Sequence, residues 1–510
     1  EAAAIAEELQ LDESKTLADL RALGEQLKKK EPHVPVAIPS KIKAELRDYQ
    51  KDGFQWLQFL ARHHLHGILA DDMGLGKTLQ ALTHIAAEIH ERRNDGKPSL
   101  VVAPTSVVPN WAAEARKFAP SLKVLVLHGS ERQVDFKKIE KSHLVITSYA
   151  LLQRDQVEHR RHSYHLAFLD EAQFIKNPKA KVSIAACKLD AQHRVCLSGT
   201  PMENHLGELW SLTRFLMPGL LGTQDAFNKV FRTPIERHRD GDAQRALNAR
   251  VGNLILRRTK DQVVLELPAK TEIIHRIPLN KEQQEIYESV RTAMDSKVRD
   301  AIADKGLARS QIIVLDALLK LRQVCCHPQL IKTEISKKAK HSAKLDFLVE
   351  LLATLIEEGR RILLFSQFTT MLAMIEDHLK KEKIKYVKIT GATRDRKTPV
   401  EKFQEGKIPV FLISLKAGGT GLNLTAADTV IHYDPWWNPA AENQATDRAH
   451  RIGQVNPVFV HKLVSEGSIE ERILELQARK SKLVEALLSQ ETTKLKLDTS
   501  TLENLLSPIG

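Results

Sequence analysis

The chain has 510 residues, too many for one hydrophobic core, so its length predicts about two to four domains. The hydrophobic fraction is 42% and the mean hydropathy −0.29, the composition of an ordinary soluble protein. No run reaches the ~18 apolar residues of a membrane helix, so no membrane partner is expected. Lys and Arg number 76 against 64 Asp and Glu, a net charge of +12, which favours a polyanionic partner and nucleic acid before others.

The cysteines, Cys187, Cys196, Cys325 and Cys326, form no C-x-x-C pair, so neither a zinc site nor a disulfide framework is expected. That usage fits a reducing interior, with Cys196 in the core. The histidines His63, His64 and His66 read as a solvated turn. The chain opens on Glu1, so its targeting is not readable from the start.

Residues 1–40 read as an Ala-, Glu-, Leu- and Lys-rich helical segment followed by a linker containing Pro32, Pro35 and Pro39. Next, Leu46-Arg47-Asp48-Tyr49-Gln50 leads to Gly53. The Gln50 amide carries a donor and an acceptor, which suits an adenine edge; an amphipathic helix through Leu46, Tyr49, Phe54 and Trp56 explains the stretch equally well.

The apolar run Ile68–Ala70 is followed by Asp71-Asp72-Met73-Gly74-Leu75-Gly76-Lys77-Thr78 and a helical segment, Thr78–Arg92. A strand, a glycine-rich turn and a helix make a phosphate loop. Successive backbone N–H groups and the positive helix end suit a polyphosphate. Lys77 is expected on the β- and γ-phosphates and Thr78 on Mg²⁺, with Asp72, Met73, Gly74, Leu75 and Gly76 lining the loop. The usual pattern has glycine at the first position, where this chain has Asp71, so the loop has a variant entrance.

Further strands are predicted at Leu100–Ala103, Val124–Leu127, Leu144–Thr147, Ala167–Leu169 and Arg194–Leu197, with a helix at Asn110–Phe118. This alternation predicts a parallel sheet covered by helices, with ligands at the carboxyl ends of the strands. There Asp170-Glu171 would serve a nucleotide, Asp170 holding Mg²⁺ and Glu171 polarising the attacking water. A second set, Ile362–Phe365, Tyr386–Ile389, Val410–Ile413, Thr429–His432 and Val458–Leu463, predicts another such sheet without a phosphate loop. Arg448 and Arg451 are spaced to share one helix face and could stabilise charge on a transferring phosphoryl group.

Together, Asp72–Thr78, Asp170-Glu171-Ala172-Gln173, Leu197-Ser198-Gly199-Thr200-Pro201, Leu321–Pro328, Phe365-Ser366-Gln367-Phe368, Lys416–Gly421, Asp434-Pro435-Trp436-Trp437-Asn438-Pro439 and Arg448–Gln454 resemble the SWI/SNF-type ATPases of helicase superfamily two. The resemblance runs from about Leu46 to Leu488. It implies an α/β protein of two RecA-like parallel-sheet lobes with inserted helical protrusions and a C-terminal brace helix. The lobes would be 41–280, with a protrusion at about 206–265, and 343–490, preceded by a protrusion at 281–342. The brace would occupy about 468–488, before a tail at 491–510.

The same resemblance implies ATP between the lobes, with Lys77, Thr78, Asp170 and Glu171 from the first and Gly419, Gly421, Arg448 and Arg451 from the second. Arg451 is the better candidate for an arginine finger. It also implies a double-stranded DNA path over Thr105, Asn110, Trp111, Ser148, Tyr149, Gln367, Lys416, Gly418 and Trp436.

The expected activity is a DNA-stimulated ATPase that translocates on duplex DNA and remodels or displaces DNA-bound proteins. A strand-separating or RNA-directed helicase and a nucleotide-dependent DNA-binding scaffold are the alternatives. A monomer is favoured, though the residues leave oligomeric state open. Gln173, where many eukaryotic members have His, and the compact region between the lobes resemble bacterial or archaeal members. The location would be cytoplasmic and nucleoid-associated in a prokaryote, nuclear in a eukaryote.

Overall fold

The computed structural model describes residues 36–129, 131–199, 206–238, 240–263, 267–306, 310–331, 339, 341–418, 422–478, 505, 507 and 508. It divides into two compact units, 1–265 and 266–510. Residues 1–35 of the predicted N-terminal segment and linker at 1–40, most of the brace and most of the tail lie outside the described residues.

The first unit is built on seven strands: β1 (Gly67–Leu69), β2 (Ser99–Ala103), β3 (Val124–Val126), β4 (Leu144–Ser148), β5 (Ser163–Asp170), β6 (Asp190–Leu197) and β7 (Ile255–Leu256). Every pairing is parallel, in the order β3-β4-β2-β5-β6-β1-β7. β1, β2 and β4 are buried along their whole length, as expected of strands covered on both faces, and so their sequences are nearly continuous apolar runs. Helices Asp48–Arg62, Lys77–His90 and Val108–Phe118 bury Phe54, Leu57, Leu82, Ile85 and Trp111 against one face of the sheet. Each such aromatic or branched side chain contributes roughly 1.5–3 kcal/mol by leaving water.

After β6 the chain makes a helical insertion that includes Leu206–Leu216 and Gly241–Val251, then returns to the sheet as β7 beside β1. Trp210 and Phe215 are buried there.

The second unit holds β8 (Lys270–Ile277), β9 (Ile362–Ser366), β10 (Tyr386–Ile389), β11 (Val410–Ser414), β12 (Thr429–His432) and β13 (Val458–Ser465). The order is β10-β11-β9-β12-β13-β8, again all parallel. β8 pairs with β13 over its full length, Lys270 opposite Val458 and Ile277 opposite Ser465, which moves this stretch out of the first lobe, where a boundary at 280 had it.

Helices Lys281–Lys305 and Gln311–Cys326 form a separate cluster with Leu318, Leu321, Val324, Ile469 and Ile473. In the second of these helices, Leu318 and Leu321 are buried while Leu315 and Leu319 face outward. Residues 469–478 are helical.

Candidate active site

The loop after β1 closes on two glycines with left-handed backbone, Gly74 at φ 93° and Gly76 at φ 78°, the latter capping the helix Lys77–His90. A side chain at Gly76 would also strike Gln50, whose amide nitrogen is 2.4 Å from the place of a Cβ. The first helical N–H groups and the positive helix end thus face the loop. Lys77 Nζ donates to the carbonyls of Asp71 and Asp72, the latter at 3.2 Å, which folds the ammonium over the loop. Gln50 donates to the Leu75 carbonyl at 3.2 Å and accepts from the Arg47 N–H at 3.0 Å, so it joins the helix start to the loop. Tyr49 O–H reaches the same Leu75 carbonyl at 3.2 Å.

Asp170 ends β5. Burial and the neighbouring Glu171 carboxylate push its carboxyl up to about 7, against the opposing pull of the Trp111 indole and Lys77. Trp111 Nε1 donates to Asp170 Oδ2 at 2.7 Å and the Glu171 N–H to Oδ1 at 3.0 Å. Glu171 has φ 50°, a left-handed backbone costly for a side chain with a Cβ and held here by its surroundings. Gln173 donates to Glu171 Oε2 at 2.8 Å and accepts from Ser198 Oγ at 3.0 Å, so the loop after β6 is tied to the acidic pair. A Cβ on Gly199 would lie 3.6 Å from the Met73 nitrogen and 3.9 Å from Lys77 Nζ, so this loop closes on the phosphate loop.

These groups fit a magnesium-bound nucleoside triphosphate. Among the described residues no group of three or more His, Cys, Asp and Glu could hold a metal unaided. Mg²⁺ carried on phosphates needs only one or two carboxylates, and Asp170, with the half-buried Thr78, meets that need.

Three residues assigned to a DNA surface are placed otherwise. Trp111 is fully buried because its indole serves Asp170. Tyr149 is buried, donates to the Asp170 carbonyl at 2.8 Å and stacks on Phe174 at 4.9 Å. Ser148 is buried and caps the helix Tyr149–Arg154 by accepting from the Leu151 N–H. Their side chains brace the acidic pair and its neighbouring strand end and are turned away from solvent. Thr105 and Asn110 are exposed, Asn110 donating to Glu114 at 2.8 Å.

In the second unit the helix Pro439–Thr446 stops short of Arg448, so Arg448 and Arg451 do not share a helix face. They lie in the turn that follows. Arg448 is fully buried, donating from Nη1 to the Leu422 carbonyl at 3.2 Å, whereas Arg451 is half-buried. Gln454 fixes this turn, donating to the Ala427 carbonyl at 2.7 Å and the Ala449 carbonyl at 3.1 Å. Gly419 and Gly421 lie outside the described residues. Lys416 and Gly418 fall in the helical turn Leu415–Gly418.

Trp436 is half-buried, and the guanidinium of Arg322 sits 5.8 Å from its ring and 5.6 Å from that of Trp437. Arg322 also donates to the Pro435 carbonyl and lies 3.8 Å from Asp434. Asp434 in turn accepts from Ser366 Oγ at 2.6 Å and the Gln367 N–H at 3.3 Å. Arg322 is thus the buried cation under the double-tryptophan segment. Its place in a run of apolar helix residues was the available signal.

A profile described as SNF2-related domain matches residues 49–330, more than half of the chain. The chain belongs to the SNF2-related family. A second profile, helicase conserved C-terminal domain, matches residues 343–453. This SNF2-related chain is 41% identical over 508 residues to YwqA of Bacillus subtilis, whose name carries the words ATP-dependent helicase/translocase; the match covers 98% of this chain and 54% of YwqA. It is 34% identical to the TATA-binding protein-associated factor MOT1 of Saccharomyces cerevisiae, over 93% of this chain and 29% of that protein. The chain therefore spans about half or less of the length of these relatives. Among solved structures, the Sulfolobus solfataricus SWI2/SNF2 ATPase core in complex with dsDNA is 36% identical, covering 92% of this chain and 99% of that one with a TM-score of 0.46.

Proposed function

We propose that this chain is an ATP-hydrolysing motor stimulated by double-stranded DNA, which it moves along while displacing or remodelling bound proteins. One observation carries the reading: Lys77 and the left-handed glycines of the phosphate loop stand beside an acidic pair that is itself wired to the next strand end through Gln173 and Ser198. A protein that only holds a nucleotide needs the loop; the second carboxylate on a constrained backbone serves turnover. Family membership and the likeness to YwqA, named an ATP-dependent helicase/translocase, support the same reading.

In this reading the loop N–H groups and Lys77 bind the polyphosphate, and Thr78 and Asp170 hold Mg²⁺. When bound, the metal would supply neutralisation of phosphate charge. Trp111 keeps the Asp170 carboxylate oriented. Glu171, held by Gln173, takes the proton of the attacking water. Arg451 is the residue we assign as the arginine finger for the charge that develops on the transferred group. Thr105, Asn110, Gln367, Lys416, Gly418 and Trp436 are the proposed contacts to the DNA backbone.

The test is the ATPase rate without nucleic acid and with duplex DNA, single-stranded DNA and RNA. Stimulation by duplex above the others, with displacement of a triplex strand and no duplex unwinding, is expected. Turnover indifferent to DNA would favour the scaffold, and unwinding would favour the helicase.

A further inference from the structure

The loop's first position, glycine in the usual pattern, is here Asp71, with a carboxylate that has no exposure to water. Its counter-charge comes from far along the chain. Arg258, just after β7, donates from Nε to Asp71 Oδ1 at 2.9 Å and from Nη2 to Oδ2 at 2.5 Å, a two-pronged pair. Arg258 also donates to the Tyr49 carbonyl and to Gln80 Oε1 at 3.0 Å, and its guanidinium lies 5.4 Å from the Tyr49 ring. Gln80 in turn donates to Asp71 Oδ2 at 3.2 Å and to the Leu75 carbonyl at 3.4 Å.

The backbone of the same segment runs along the loop. The Ala70 N–H donates to the Leu256 carbonyl at 2.7 Å, the Asp72 N–H to the Arg258 carbonyl at 3.0 Å, and the Lys260 N–H to Asp72 Oδ2 at 3.2 Å. Space for the guanidinium is kept by Gly53: a Cβ there would fall 1.9 Å from Gln80 Oε1 and 2.6 Å from Arg258 Nη2.

We infer that Arg258 is a positioning residue for nucleotide binding: it neutralises Asp71 and straps residues 255–260 along the phosphate loop, so that the loop's entrance is set by the chain returning from the helical insertion. This inference rests on the ATPase reading. The ligand it serves is the triphosphate of a nucleotide. At an effective dielectric of about 20, a like charge left unpaired within roughly 10 Å of a bound anion weakens binding by roughly tenfold or more. Lysine, a point charge without a fork, cannot meet Asp71, Tyr49 and Gln80 together.

The experiment is equilibrium titration with a fluorescent ATP analogue, alongside steady-state turnover, on the whole chain and on Arg258→Gln, Arg258→Lys, Asp71→Asn with Arg258→Gln, and Gly53→Ala. Arg258→Gln should raise the Kd and KM roughly tenfold or more while kcat at saturation stays within about threefold; Arg258→Lys should fall between it and the parent. Adding Asp71→Asn should bring the Kd back to within about threefold of the parent, a recovery that loss of packing alone would not give. Gly53→Ala keeps every charge but dislodges the guanidinium, so it should weaken binding too, and it carries the test should Arg258→Gln not fold. A folded Arg258→Gln or Gly53→Ala protein with the parental Kd overturns the inference, as does a double variant as weak as the single one. A parent that binds no nucleotide overturns the ATPase reading and this inference with it; a parent that binds while Arg258→Gln binds equally overturns this inference alone.

Discussion

Glu171 and Trp111 act on opposite sides of one carboxylate, and substitution separates their parts. Glu171→Gln preserves the shape that Gln173 and the left-handed backbone hold, but removes the base. Turnover is expected to fall by about 10²–10⁴ with nucleotide and DNA binding retained, measured as single-turnover hydrolysis; parental turnover would refute the assignment. Trp111→Phe keeps an aromatic in the core and deletes the single N–H to Asp170 Oδ2. Leaving a buried carboxylate oxygen without its donor costs about 1–3 kcal/mol, so a lower midpoint in urea together with a higher Mg²⁺ concentration for half-maximal turnover is expected. A DNA-facing tryptophan would instead lower DNA affinity and leave stability alone. Arg451→Ala should lose about 10³–10⁵ in turnover with nucleotide affinity kept; loss of DNA binding alone would put the residue on another surface.

The phosphate loop and Asp170-Glu171 were legible because each is a short contiguous pattern at a strand end. Trp111 was not, because its partner lies 59 positions away and a tryptophan beside Asn110 gives no sign of which way it points. Arg258 lies 187 positions from Asp71, and an ion pair at that separation leaves no local trace.

At the level of strands and helices, the ends of the first sheet remote from the phosphate loop gather imidazoles. His165, near the start of β5, donates from Nε2 to the Glu88 carboxylate at 2.8 Å, and its ring lies 5.2 Å from that of His193 on β6. His84 lies 2.6 Å from the Gln58 amide and 4.0 Å from Glu88, with Arg93 also on Glu88. His66, expected in a solvated turn with the exposed His63 and His64, instead accepts from the Arg194 N–H at 3.0 Å.

Burial depresses His84 to about 4 and His193 to about 3, the latter aided by His165, and it depresses His66 to about 4. Glu88 is held well below the usual carboxylate range by His165 and Arg93 in spite of its burial. A histidine whose folded value lies below 6.5 stabilises the fold in full above pH ~6.5 and loses that contribution as pH falls toward the folded value. The first unit is therefore expected to lose on the order of 3 kcal/mol for His84 alone between pH ~6.5 and ~4. Urea unfolding followed by Trp fluorescence at several pH values checks this, and His84→Gln should flatten the dependence.

Two strands escaped the sequence for a related reason. β8 lies at a sheet edge with most positions open to water and has only Ile273, Ile274 and Ile277 as apolar residues, so it lacks the continuous apolar run that marks the others. β7 has only two residues, Ile255 and Leu256.

For the whole molecule, the net charge of +12 and the proposed grip on phosphates predict affinity governed by counterion release. The log–log slope of DNA affinity against salt should be about −0.9 for each phosphate neutralised, and similar for unrelated duplex sequences. A shallow slope or strong sequence preference in binding titrations would count against backbone tracking.

The placement of β7 and of β8 bears on how the chain is made. β1 keeps one edge bare even after β6 has emerged to pair with the other, and the cover for that edge, together with the cation for Asp71, follows only after the long helical detour has been synthesised. The second sheet has the same feature at larger scale, since β8 is translated first of its strands and must wait for β13, the last, before it has a neighbour. Nascent chains halted before residue 255 or before residue 458 should therefore display unpaired strand edges, make preferred clients for chaperones, and resist proteases only after the late strand has emerged.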